Sequence, residues 1–181
     1  MYETQSYSGA SHFAQDANYE VQRTNHFEIA IDLAPILDTG DEIARTIRLC
    51  CTAASIPNIQ VQAQPLRHGN ETINVAGSPN WTTSQVSVYD VIGWDMSRML
   101  QDWFWKIFDP STHTMGLVVN YKTTATIYQY SPDASVIRAW DCWGVFPTSL
   151  NFGSPSADGS GSPVTITMDL SVDKAVLRKV K

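Results

Sequence analysis

Apolar residues recur along this chain mostly at every second position, and one stretch departs clearly to helical spacing. Over 25–33, Phe27, Ile29, Ile31 and Leu33 fall on one face of a strand. After a loop over 35–42, alternation through Ile47, Leu49, Cys51 and Ala53 predicts a second strand over 46–56, closed by Pro57. Ile59-Gln60-Val61-Gln62-Ala63-Gln64 alternates apolar residues with neutral glutamines. Pro65-Leu66-Arg67-His68-Gly69-Asn70 then turns the chain, and 71–76 returns as the second arm of a hairpin. Residues 81–91 read as a strand with Val86 and Val88 inward. Between 94 and 108 the period changes, because Met96, Met99, Leu100, Trp103 and Ile107 stand three and four apart. This is the one flanking helix, with Asp95 suited to its first turn and Asp109-Pro110 ending it. Trp105 and Phe108 fall off its main stripe and leave apolar surface for a second contact. In the last strand Val164, Ile166, Met168, Leu170 and Val172 face inward, while Thr165, Thr167, Asp169 and Ser171 face out.

The longest β-rich stretch is 115–147. Its first arm, 117–130, and its return arm, 136–146, are dense in β-branched and aromatic residues, with Ser131-Pro132-Asp133-Ala134 as the turn and Pro147 as the stop. An arm of about 12 residues spans about 40 Å, roughly twice a usual strand. Leu117, Val119, Tyr121 and Ile127 point one way, and Val118, Tyr128 and Tyr130 point the other. A hairpin apolar on both sides leaves one face uncovered in a monomer. The expectation is a subunit that completes its sheet by assembling.

Composition sharpens this. The 181 residues suit one domain over 21–173, after a polar arm at 1–20. All 18 acidic residues lie at or before Asp173 together with eight of the 12 basic ones, so the body is strongly acidic and 174–181 is a basic tail. An acidic body is a poor binder of nucleic acid but a suitable conduit for it, since like charges do not stick. Cys50, Cys51 and Cys142 form neither a disulfide framework nor a C-x-x-C metal site. No apolar run reaches the roughly 20 residues that span a bilayer, so no membrane partner is expected.

Catalytic patterns are missing: neither a phosphate loop nor a nucleophile elbow is present. His12, His26, His68 and His113 are dispersed, Cys142 beside Asp141 has no histidine near it in sequence, and Asp90, Asp95 and Asp102 read as a solvated helix face. No enzyme activity, cofactor or metal is expected. The six tryptophans raise a carbohydrate-binding β-sandwich as a rival, but Trp94 and Trp103 fit the helix and Trp140 and Trp143 lie on opposite faces of one strand.

Several segments, taken in order, resemble one family. Arg23-Thr24-Asn25-His26-Phe27-Glu28-Ile29 is similar to the opening strand of T-even-type (myovirus) phage tail tube proteins. Ala53-Ala54-Ser55-Ile56-Pro57, then Ile73-Asn74-Val75-Ala76-Gly77, resembles that family's next conserved stretch. Tyr121-Lys122, Tyr128-Gln129-Tyr130 and Gly144-Val145-Phe146-Pro147-Thr148 are similar to its late hairpin and close. The resemblance spans most of 21–173; the Ser/Gly-rich loop at 154–163 and the basic end depart from it. It implies a mainly β fold, an antiparallel β-sandwich or barrel with one flanking helix, whose two long hairpins join an intersubunit barrel. It further implies hexameric rings stacked into a tube in the virion tail, assembled in the host bacterial cytoplasm. The implied partners are a sheath protein, a baseplate initiator and a tail terminator, with double-stranded DNA passing without specific binding. The inner tube of a contractile injection or type VI secretion system shares the fold. The lumen-lining candidates are Gln60, Gln62 and Gln64; the ring-to-ring candidates are Pro65, Leu66, Arg67, His68, Gly69 and Asn70, with the 1–20 arm.

Overall fold

In a computed structural model, residues 21–156 and 161–179 are described. The strands are β1 (Phe27–Ile31), β2 (Cys51–Ala54), β3 (Ile59–His68), β4 (Glu71–Trp81), β5 (Ser84–Tyr89), β6 (Phe108–Asp109), β7 (Thr114–Met115), β8 (Thr123–Tyr130), β9 (Val136–Asn151), β10 (Thr165–Ser171) and β11 (Lys174–Lys179). The helices are α1 (Gly40–Cys50), α2 (Met96–Trp105) and the single turn α3 (Val118–Tyr121). The expected 1–20 arm lies outside the described residues.

All strand pairs are antiparallel, and β9 organises them. Its first part lies between β8 and β11, with Cys142 opposite both Ala125 and Ala175. Its second part pairs with β10, with Leu150 opposite Met168. One sheet, A, is therefore β1-β8-β9-β11, and the other, B, is β9-β10-β5-β2. The chain crosses from one to the other at Gly144, whose φ of +66° suits only glycine cheaply. A Cβ there would strike the Asp173 carboxylate. Asp173 pins the crossing: its N–H donates to Trp143 O (3.0 Å), and its carboxylate accepts from Lys122 Nζ (2.6 Å).

The inner faces of both sheets share one core with the helices. Ile29, Ile31, Ala125, Ile127 and Cys142 come from sheet A; Val86, Val88, Ile166, Met168 and Leu170 come from sheet B. Ile43, Ile47, Met96, Leu100 and Trp103 close it from the helices. Burying a side chain such as Ile127 stabilises the fold by roughly 1.5–3 kcal/mol. The indole of Trp103 also needs a partner, and donates to Tyr121 O (3.1 Å).

Three expectations need correction. Residues 46–50 are helical, so α1 joins α2 and the helix at 94–108 is not alone. Ile43, Ile47 and Cys50 satisfy helical spacing and are buried, whereas the strand reading placed Leu49 inside, and it is 62% exposed. Asp41 and Glu42 favour the helix start, and Thr46 Oγ1 donates to Glu42 O (2.8 Å). Second, the late hairpin is shorter at one arm and longer at the other. Its first arm begins at Thr123, because 118–121 closes into a helical turn, while β9 runs through Pro147 to Asn151. Past Val145, β9 has no β8 partner, and such an edge tolerates a proline. Third, the basic end is no tail from Lys174 to Lys179: it forms β11 on the edge of sheet A, with Lys174 Nζ 5.6 Å from the Trp143 ring centre and Arg178 Nε 3.0 Å from Asp141 Oδ2.

Candidate assembly surface

The feature that stands away from this body is the β3–β4 ribbon. It continues the β2–β5 pair: Ala54 lies opposite Val86, Ser55 N–H donates to Gln85 O (2.8 Å), Thr82 N–H to Asn58 O (2.9 Å), and Ile59 lies opposite Trp81. Trp81 packs against the core and anchors the base. Beyond it, all of β3 is exposed and, in β4, only Gly77 is partly covered before Trp81. Ten residues of β3 reach about 33 Å. The turn is only Gly69-Asn70, with Gly69 at φ +61°; Pro65, Leu66, Arg67 and His68 extend β3 opposite Asn74, Ile73, Thr72 and Glu71. The expected six-residue connection is thus mostly strand, because β4 is long enough to pair with it.

A bulge shapes the ribbon. Val61 faces Pro79 but Ala63 faces Ala76, so Gln62 meets two residues, Gly77 and Ser78. Glycine is required at 77, since a Cβ would lie 2.8 Å from Gln62 O. Alternation puts Gln60, Gln62, Gln64, Leu66 and His68 on one face, with Asn80, Val75, Ile73 and Glu71 opposite them. Ile59, Val61, Ala63, Pro65 and Arg67 hold the other. The predicted glutamine row is real as a row, and it becomes apolar at Leu66.

Sheet B has a polar outer face in line with the ribbon. Gln85 and Ser87 of β5 lie opposite Asp169 and Thr167 of β10, which lie opposite Ser149 and Asn151 of β9. Gln85 Nε2 donates to Asp169 Oδ1 (3.1 Å) and Ser149 Oγ to Asp169 Oδ2 (2.7 Å), so the one carboxylate in this patch is held in neutral groups. Because Trp81 packs toward the core, strand alternation turns Asn80 and its partner Gln60 toward the side of this polar face. Reading the chain segment by segment did not join these residues, although the outward set of β10 was visible as alternation. Among the described residues both lateral edges of sheet B are open: β2 on one side, and β9 after Val145 on the other. Open edges invite another chain.

The residues weighed for chemistry are dispersed. The Cys142 thiol is buried, and burial with the Asp141 charge pushes it up to about 11, which keeps it protonated. Asp90 accepts from Ser97 Oγ (3.0 Å), and Asp95 precedes α2 in the left-handed region at φ 44° without capping it through its side chain. Among the described residues no cluster of three or more His, Cys, Asp or Glu is placed to hold a metal ion. A cleft of about 600 Å³ between β1 and β2 contains Cys51 but no histidine.

No family model matches the chain, and no curated protein matches it in sequence. Solved structures share its fold. A chain of the sheath–tube complex of an extracellular contractile injection system, PVC, in the extended state aligns with a TM-score of 0.66 and 18% identity, over 96% of this chain and 99% of that one. A chain of the anti-feeding prophage cap that terminates the tube aligns with a TM-score of 0.66 and 17% identity, over 89% and 93%. The SPP1 tail tube aligns at 0.51 and 12% identity, over 88% and 80%. The mainly β, antiparallel architecture is thus the one that tail-tube and injection-system chains adopt.

Proposed function

We propose that this chain, which shares the tail-tube fold, is the repeating structural subunit of a contractile phage tail tube, stacked as hexameric rings around the path of genome delivery. The observation that carries this is a β-ribbon left exposed along nearly all its projecting length, on a sheet whose two edges are unpaired among the described residues and whose outer face is neutral and polar. An open edge at each side favours a head-to-tail contact that closes into a ring. Pairing removes the unpaired backbone groups that an isolated ribbon keeps at its edges. The wall facing the lumen is then Gln60, Gln62 and Gln64 with Gln85, Ser87, Thr167, Asp169, Ser149 and Asn151. Without fixed positive charge it lets double-stranded DNA slide without adsorbing. Pro65, Leu66, Arg67, His68, Gly69 and Asn70, at the far end of the ribbon, contact the next ring. Sheath, baseplate initiator and terminator proteins complete the assembly, which is built in the bacterial cytoplasm and ends in the virion tail.

A second reading has specific support, because the PVC and anti-feeding prophage chains align better than the SPP1 tail tube. It makes the chain the inner tube of a contractile injection system. Negative-stain microscopy of the purified protein tests both: tubes of uniform width are expected, and a protein monomeric at high concentration overturns both. Gln60→Lys with Gln62→Lys separates them, because a phage tube so altered assembles but delivers DNA poorly. Tubes that form and deliver DNA at the wild-type level overturn the proposed lining.

A further inference from the structure

The chain changes sheets twice at one corner. β9 leaves sheet A at Gly144, and after Ser171 the chain leaves sheet B to enter β11 at Lys174. The two crossings lie side by side: Ser171 faces Phe146 on the sheet B side, and Lys174 faces Trp143 on the sheet A side. Thr123 faces Val145 but Thr124 faces Trp143, so Gly144 is a bulged residue. Val145 and Val172 are buried inside the corner. Outside it, the Asp173 carboxylate lies where a Cβ on Gly144 would strike it, and it accepts from Lys122 Nζ. Lys122 Nζ also lies 5.4 Å from the Phe146 ring centre, and the Tyr121 ring meets Phe146 in a T-shaped contact. Asp173 N–H holds Trp143 O, so this brace grips β9 on both sides of its bend. The open edge of β9 begins here: β8 pairs with it only as far as Val145, and among the described residues 146–151 pair with β10 alone.

We infer that Asp173, held by Lys122, is a positioning residue that aims the 146–151 edge of β9 at the neighbouring copy in the ring. This rests on the tube reading and adds the side chains that set the direction of its lateral contact. An ion pair in which Asp173 is 55% exposed adds little to stability. Its effect is on direction. A bulge re-aims the strand that carries it, and a glycine at its centre leaves the bend free to vary. With the brace in place the edge is already ordered before a neighbour arrives; without it, association must supply that ordering. A closed ring also needs one angle, since six copies turn about 60° each and seven about 51°. A bend that varies by several degrees therefore admits rings of more than one size.

Lys122→Met and Asp173→Asn test this, since each removes the ion pair and keeps the bulk of the side chain, while Lys122→Arg keeps the charge. The first two are expected to leave the melting temperature of the free subunit within a few degrees of wild type. They are expected to raise the protein concentration needed for rings about tenfold, and to give rings of mixed subunit number in native mass spectrometry. In the free subunit, amide exchange is expected to quicken over 146–151 and not over 123–130. Lys122→Arg is expected to assemble as wild type does. Rings of one size at the wild-type concentration from both variants overturn the inference and leave the tube reading standing. Exchange that quickens equally over 123–130 also overturns it, because the ion pair then only stabilises the fold. Wild-type protein that never forms rings overturns the tube reading itself.

Discussion

The chain contains two long antiparallel hairpins that use similar residues for opposite ends. In β8–β9, Ala125, Ile127, Ala139, Cys142 and Val145 are buried in the subunit. In β3–β4, Ile59, Val61, Leu66, Ile73 and Val75 are each between 41% and 56% exposed. Apolar alternation makes both strands. What differs is the neighbour: β8–β9 has β1, β11, β10 and the helices around it, whereas among the described residues β3 and β4 pair only with each other. A two-stranded ribbon is marginal in water, so beyond the base anchored by Trp81 the subunit holds β3–β4 only weakly.

The widest gap between the hairpins is expected in amide exchange. In unassembled protein the β8–β9 amides should exchange about a thousandfold or more slower than those of β3–β4, since core strands open only with global unfolding. Assembly should then protect the ribbon. Equal protection in the free subunit would break the comparison. Next, Ile127→Ala should cost about 2–5 kcal/mol in chemical denaturation, whereas Ile73→Ala should stay within about 0.5 kcal/mol in the subunit. The two positive-φ glycines give a finer contrast. Gly144→Ala meets both the backbone penalty and the Asp173 carboxylate, so a loss of about 1–3 kcal/mol is expected. Gly69→Ala, with open space around its Cβ position, should cost about 1 kcal/mol at most, and only locally.

The smallest and latest effect is in pH. Burial pushes the thiols of Cys51 and Cys142 up to about 11, and burial with the Glu28 hydrogen bond pushes Tyr130 up to about 12. Each folded value lies above the unfolded one, near 9 for the thiols and 10 for the phenol. The folded state therefore holds these protons longer, and their contribution is complete below about pH 9 and is lost as the pH rises through 11–12. Denaturation midpoints should fall between pH 9 and 11, and Cys142→Ala should flatten that slope. All three groups sit outside the ribbon, so a tube's contacts between rings should not share this dependence.

Much of the fold was legible in alternation. The strands around Ile29, Val86 and Ile166 and the helix around Trp103 appear where apolar spacing puts them, and the glutamine row of β3 is present as written. Residues 46–50 failed because Ile47 serves either period, and only packing against β1 decides which neighbours it keeps. Residues 117–122 failed because β propensity is high there, yet Gly116 lets the chain press against Lys106 and Leu117, Val118 and Val119 remain exposed. β11 was hidden by its lysines and arginine, which suit an edge strand as well as a solvated tail.

By itself the order of apolar and polar residues determined that this is a β-rich chain with more apolar strand surface than one subunit can cover. It placed the uncovered face on the 115–147 hairpin, whereas β8–β9 is buried in the subunit and β3–β4 is the hairpin left exposed. That choice depends on which strands β9 recruits and on where the chain turns at Gly144, and both are contacts between residues far apart in sequence. Periodicity is a local property of the chain, while exposure is decided by whatever the fold brings alongside.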